Sequence, residues 1–202
     1  MSKWPLVYFH LSSLGCLGLS VVMHLFANMS LKVYKAVLLA DFSGIMLMFI
    51  ASGYAYMSYK YSCGPFKKWV YIFMALYLLC TIAFVYVFIS EKLTTIPRRL
   101  SFFVIFGITC YMPVYLIKVW HDPKYMMDPT EGNCFYSILT YLVGGVFYGT
   151  RFPECCSRTG KFDILGASHQ IFHVFVFLAI YYSIYSLNEL YLQRLEFVCP
   201  SQ

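Results

Sequence analysis

Residues 165–188 read LGASHQIFHVFVFLAIYYSIYSLN and contain no Asp, Glu, Lys or Arg. A helix needs roughly 20 mostly apolar residues to cross about 30 Å of hydrocarbon, so this stretch is long enough to span a bilayer. It also holds His169 and His173, four apart. On a helix such a pair shares one face, with Cβ atoms about 5–6 Å apart. One segment thus announces both the solvent, which is lipid, and a place where polar chemistry enters it.

Five further runs have the same character: 5–29, 36–58, 69–90, 100–120 and 134–150. The expected fold is all-α, a multi-pass transmembrane bundle of six helices forming one integral membrane domain over 1–202. The fifth run is the shortest and carries Gly144, Gly145 and Gly149. The first run is read as a membrane helix rather than a leader, because it exceeds the usual apolar region and no small-residue cleavage site closes it. Composition agrees. The chain is 60% hydrophobic and 12% charged, against about 45–50% and about 25% in soluble domains. So little charge cannot cover a water-facing surface, and short connections leave no room for a separate soluble domain. Aromatics at 20% suit interfacial belts. No nucleic-acid partner is expected.

Counting crossings places residues by depth. With the starting face named A and the opposite face B, His24 ends helix one near face B. Asp41 begins helix two near face B, and His169 and His173 begin helix six there as well. Three segments distant in sequence bring metal-ligand types to one depth. Ser20 stands four before His24 and points the same way. Two imidazoles at i and i+4 can chelate one ion at about 2.0–2.1 Å, and three histidines with an open fourth position is a catalytic zinc arrangement. Asp41 would hold the water there or bind the metal directly.

The competing reading of His169 and His173 is hydrogen bonding to a neighbouring helix. Energetics weigh against it once His24 and Asp41 are added. An Asp at a helix centre costs about 2.5–3.5 kcal/mol on insertion scales. Structural zinc returns about 10–16 kcal/mol in peptides, whereas hydrogen bonds in membranes average about 0.6 kcal/mol. Elsewhere, His10 is expected to bond across helices, and His121 with Asp122 to sit solvated in a face-A loop. The adjacent Cys155 and Cys156 lack a usual zinc spacing, and are expected to pack or carry a lipid. Cys63, Cys134 and Cys199 all fall on face A, where any two are free to pair in an oxidising compartment.

Ser20-x3-His24, Asp41-Phe42-Ser43-Gly44, Arg151-Phe152-Pro153-Glu154, Gly160-Lys161-Phe162-Asp163 and Ser168-His169-Gln170-Ile171-Phe172-His173 together resemble the progestin and adipoQ receptor family, nearest its adiponectin receptor branch. The haemolysin-III-like proteins share these motifs. The resemblance implies a seven-helix core with a zinc site near the cytoplasmic leaflet. It implies His24, His169 and His173 as ligands, Asp41 as the residue that positions water, and Ser20 as a polar neighbour in the catalytic site. Arg99 matches a basic position that resembles a fatty-acid carboxylate contact, its alternative being an ordinary snorkelling Arg. The family's first helix, with its acidic-Asn-Thr-His motif, has no counterpart here, and the chain is expected to begin at the second.

Two functions follow from the resemblance. One is a zinc-dependent hydrolase of ceramide-like amides, with ceramide or a fatty acid as the membrane-lipid partner. The other is a non-enzymatic receptor for an extracellular protein or steroid ligand, with a structural zinc. The plasma membrane or endoplasmic reticulum is the expected location. Basic residues number eight on face B (Lys32, Lys35, Lys92, Arg98, Arg99, Arg151, Arg158, Lys161) and seven on face A (Lys3, Lys60, Lys67, Lys68, Lys118, Lys124, Arg194), too even for the positive-inside rule. The resemblance therefore sets the orientation, with face B cytoplasmic.

Overall fold

A side-chain cap fixes the first turn of the central helix. Ser30 Oγ accepts a hydrogen bond from the backbone N–H of Val33 at 3.2 Å, the contact expected of an N-cap serine. The helix therefore starts at Leu31 rather than at 36, where the uncharged run begins, and carries Lys32 and Lys35 on its first turns. The structure, a computed structural model, describes residues 2–61, 63, 67–89, 96–120, 131–156, 160–162, 164–196 and 198–199. For residues 67, 88–89, 96–97, 113–120 and 131–132 it describes the backbone alone. The readings placed on Lys92, His121, Asp122, Lys124, Arg158 and Asp163 lie outside the described residues.

Among the described residues six long helices follow one another: α1 (Trp4–Phe26), α2 (Leu31–Lys60), α3 (Lys67–Ile89), α4 (Ile96–Trp120), α5 (Glu131–Thr150) and α6 (Ser168–Glu196). Among the described residues a 3₁₀ turn, Glu154–Cys156, interrupts the link between α5 and α6. No strand occurs among the described residues, so the fold is an all-α bundle. Trp4–Phe26, Leu31–Lys60, Lys68–Val87 and Ser168–Glu196 are long and apolar enough to cross a membrane. At 1.5 Å per residue, even α5, with 20 residues, reaches about 30 Å. Pro5 near the start of α1 occupies a position whose N–H has no helical partner.

α2 is the hub. Of its apolar window 61% is buried, against 17% for α3, so α2 is wrapped by protein and α3 is left uncovered along much of its length. α1 lies along α2 and α5 along α6, while α2 also touches α3, α4 and α6. Two glycines permit the closest approaches. A Cβ on Gly44 would stand 3.0 Å from the Cα of Cys16, and one on Gly144 would stand 2.8 Å from the Cβ of Phe175. Small residues at such crossings let helix backbones pack without a hydrophobic driving force. Some buried hydroxyls are paired between helices: Ser52 with Tyr111 at 2.6 Å, and Ser137 with both Ser183 at 2.7 Å and the Ala179 carbonyl at 2.9 Å.

His10 departs from expectation. Its Nδ1 lies 2.7 Å from the carbonyl of Leu6, one turn back on the same helix, which satisfies the imidazole without a second helix. The cysteines of face A are resolved as well. Cys63 bonds to Cys199, and Cys134 lies outside the bridge, buried. Arg194 donates to both disulfide sulfurs, at 2.6 Å and 2.8 Å. The bridge fastens the segment after α2 to the segment after α6, and α6 continues to Glu196 rather than 188, with Leu190, Tyr191 and Arg194 buried.

Candidate metal centre

The start of α6 is built before its histidines are aimed. Gly166 adopts φ +82°, a conformation that favours glycine, and turns the chain into the helix. Gln170 folds back over that turn: its Oε1 accepts from the N–H groups of Gly166 at 2.7 Å and Ala167 at 3.3 Å. Its Nε2 donates to the carbonyl of Ile164 at 2.9 Å. The Ala167 contact is the glutamine half of a capping box. From fourteen residues upstream, Glu154 Oε1 accepts from both the backbone N–H and the hydroxyl of Ser168, at 2.8 Å and 2.9 Å. The neighbouring His169 is thereby held from both sides in sequence.

Burial works against the ionised form of Glu154. Hydrogen bonds from its own N–H and from Ser168, with the nearby Arg151 charge, outweigh it and hold the carboxyl below its ordinary range. An anion at a helix N-terminus is also favoured by the backbone dipole. Glu154→Ala removes a partner from the first turn of α6 and should be destabilising, as lost caps are, and thermal unfolding in detergent would read this as a lowered midpoint. An unchanged midpoint would show that Ser168 finds its partner elsewhere.

On this support the three imidazoles meet. His24, in the last turn of α1, places its Nε2 3.1 Å from His169 Nε2. His173 Nε2 lies 3.2 Å from the same atom, and all three candidate donor atoms fall within 4.8 Å of one another. Two nitrogens held tetrahedrally at about 2.0–2.1 Å from one zinc ion would be about 3.3 Å apart. A single ring nitrogen cannot donate its one proton to two neighbours, whereas three lone pairs converging on one cation satisfy all three rings. The donor set and spacing fit zinc. His169 and His173 are half-buried and His24 is exposed.

Asp41 and Ser20 are buried beside this cluster. The Ser20 hydroxyl hydrogen-bonds the Asp41 carboxylate, and the His24 imidazole acts on the same carboxylate through space. Asp41 is not one of the converging donors. Together with His169, His173 and Arg99, these two residues line a cavity of about 630 Å³. Its other walls are mainly apolar, including Phe49, Phe103, Ile138 and Phe172. Such a mix, with few polar groups in an apolar wall, is that of a small-molecule site. Arg99 lies with its guanidinium 5.5 Å from the centre of the Phe42 ring and donates to the Tyr148 hydroxyl. It is drawn into the cavity wall, and its side chain is half-buried.

The structure brings all six residues singled out in the sequence, Ser20, His24, Asp41, Arg99, His169 and His173, to one end of the bundle. Sequence reading did not assign Glu154, Gln170 or Tyr148 to it. Gln170 carried a local signal, since a glutamine in the third position of a helix completes a capping box. Glu154 and Tyr148 carried none, because their partners are distant in sequence.

Comparison with known proteins agrees with this architecture. The family described as haemolysin-III related matches residues 1–184. Heptahelical transmembrane protein 3 of Arabidopsis thaliana is 34% identical over 179 residues, covering 86% of this chain and 51% of the relative. Heptahelical transmembrane protein ADIPOR3 of Oryza sativa subsp. japonica is 34% identical over 190 residues, covering 89% and 44%. The adiponectin receptor protein of Drosophila melanogaster is 27% identical over 194 residues, covering 94% and 43%. The chain spans about half the length of these curated relatives.

Proposed function

This chain belongs to the haemolysin-III-related family as an adiponectin receptor-like, multi-pass integral membrane protein, and from that premise we propose that it is a zinc-dependent hydrolase of ceramide-like lipid amides. The observation that carries the reading is the convergence of three histidine nitrogens at the wall of an apolar cavity that also holds Asp41. His24, His169 and His173 would hold the ion. Zinc in that place would supply Lewis-acid polarisation of a carbonyl and a lowered pKa for water.

The remaining chemistry belongs to the chain. Asp41 accepts a proton from water, and the Ser20 hydroxyl fixes the carboxylate in place. The same carboxyl then returns the proton to the leaving amine nitrogen, the usual double duty of one general acid–base. The phenylalanine-lined cavity takes an acyl chain and keeps bulk water out, which strengthens the electrostatics within. Arg99 receives the carboxylate of the fatty-acid product in a charge-assisted pair. A lipid amide near the headgroups suits a site reached from within the bilayer, where polar substrates from water are disfavoured. The test is ceramide turnover by the purified full chain in lipid nanodiscs, assayed with zinc chelated and zinc restored. Hydrolysis that appears only with zinc supports the reading, and equal rates in both conditions oppose it.

The other reading is a receptor whose metal only pins helices, and it calls for a closed, four-ligand site. Among the described residues the converging group contains three ligands, which favours the open arrangement of catalytic zinc.

The metal end is proposed to face the cytoplasm. The Cys63–Cys199 disulfide lies at the opposite end of the bundle, and disulfides persist on the oxidising side of a membrane. Asn28, in a glycosylation sequon with Ser30, should then carry no glycan when the chain is made in a eukaryotic host. Glycosidase-sensitive mass at Asn28 would reverse the orientation.

A further inference from the structure

Cys155 and Cys156 have no part in the chemistry above, yet they are placed unusually. Both thiols are exposed, and they sit 3.6 Å apart on the 3₁₀ turn Glu154–Cys156. The turn is folded back onto the end of α5: the N–H of Cys155 donates to the carbonyl of Arg151 at 2.8 Å, and that of Cys156 to Pro153 at 3.0 Å. With α5 ending at Thr150, the thiols stay within a turn or two of the end of that helix. The other cysteines outside the disulfide, Cys16, Cys80, Cys110 and Cys134, are buried or half-buried within helices. The same connection exposes large apolar side chains to the outside, with Phe152 at 47%, Ile164 at 89% and Leu165 at 80%. Arg151 and Lys161 lie exposed on it too. Exposed apolar residues mixed with cations on a juxtamembrane loop suit the headgroup boundary of a bilayer.

We propose that the Cys155–Cys156 pair is a site of S-acylation, at which one or both thiols carry a long-chain acyl group lying in the adjacent leaflet. The thiol sulfur attacks the carbonyl of a long-chain acyl-CoA, a protein thioester forms as the acyl–CoA thioester breaks, and the thiol proton leaves on the released CoA. The assignment rests on the cytoplasmic placement of the metal end, because acyl-CoA is supplied on that side. Its consequence is mechanical. An acylated turn is pinned to the membrane surface, and Glu154 in that turn holds Ser168 beside His169.

The experiment uses the full chain in eukaryotic cells. Free thiols are blocked, thioesters are cleaved with neutral hydroxylamine, and the new thiols are tagged with a polyethylene-glycol maleimide. One or two tags that require hydroxylamine, and that vanish in the Cys155→Ser/Cys156→Ser variant, are the expected result. Tags that persist in that variant, or that appear only after a disulfide reductant, overturn it. Free thiols at 155 and 156 that react with a membrane-impermeant maleimide only after permeabilisation overturn the acylation and leave the orientation standing. Reaction on intact cells overturns both.

Discussion

Zinc should fall from near one ion per chain to a small fraction of that when His173 is replaced by alanine, and equally for His24→Ala and His169→Ala. The structure makes the three changes equivalent, because each ring supplies one of three converging nitrogens and none is backed by a fourth donor among the described residues. Structural zinc binds with about 10–16 kcal/mol in four-ligand peptides, so one ligand is worth about 3 kcal/mol, or about a hundredfold in affinity. A pair of imidazoles four apart on α6 would keep only weak, exchangeable metal. Asp41→Asn provides the contrast. Asp41 lies beside the cluster and outside the converging set, so this variant should retain zinc close to the wild-type level. Elemental analysis of detergent-purified protein after dialysis measures all five forms. Equal zinc in wild type and His173→Ala would remove the site, and loss of zinc in Asp41→Asn would make Asp41 a ligand.

Much of this site was visible in the sequence because a membrane restricts what a chain can do. Apolar runs must cross, so His24, Asp41 and the His169–His173 pair acquire a depth from simple counting. Lipid makes polar residues in such runs costly, so each one signals a partner. That logic fixes depth and says nothing of rotation about a helix axis. It therefore could not choose among Cys63, Cys134 and Cys199, which share a face. In the structure the choice falls on the segments where α2 and α6 end, while Cys134 turns into the core. Rotation also decided His10, whose nearest acceptor is its own helix. The helix limits shifted for another reason. Caps and late burial set them, as Ser30 does for α2 and Leu190 through Arg194 do for α6, and neither registers in an uncharged-run count. Glu154 was hidden most completely. A carboxylate in a loop reads as solvated, and only the fold reveals that it caps the helix carrying two candidate metal ligands.

Replacing Asp41 by alanine should lower ceramide hydrolysis by about 10²–10⁴-fold, the usual worth of a positioned general acid–base, with zinc content largely preserved. The argument turns on what else at the site could take the proton. The three imidazole nitrogens face one another, and a zinc ion held by them would take up their lone pairs. Ser20 is neutral and donates its hydroxyl to Asp41. The Arg99 guanidinium offers only donors and has no acceptor. Glu154 is engaged with Ser168 at the helix cap. Asp41 is thus the one carboxylate among these cavity-lining groups. Asp41→Asn keeps the shape and the Ser20 contact while removing the basic oxygen, so it should match Asp41→Ala in rate. Ser20→Ala frees the carboxylate without removing it and should cost less, about tenfold by the lower worth of one hydrogen bond to a charged group. Single-turnover assays with zinc-loaded protein in nanodiscs separate these effects from metal loss. Should Asp41→Ala and Asp41→Asn both hydrolyse ceramide at the wild-type rate while carrying zinc, the proton must travel through another group and the assignment of Asp41 fails.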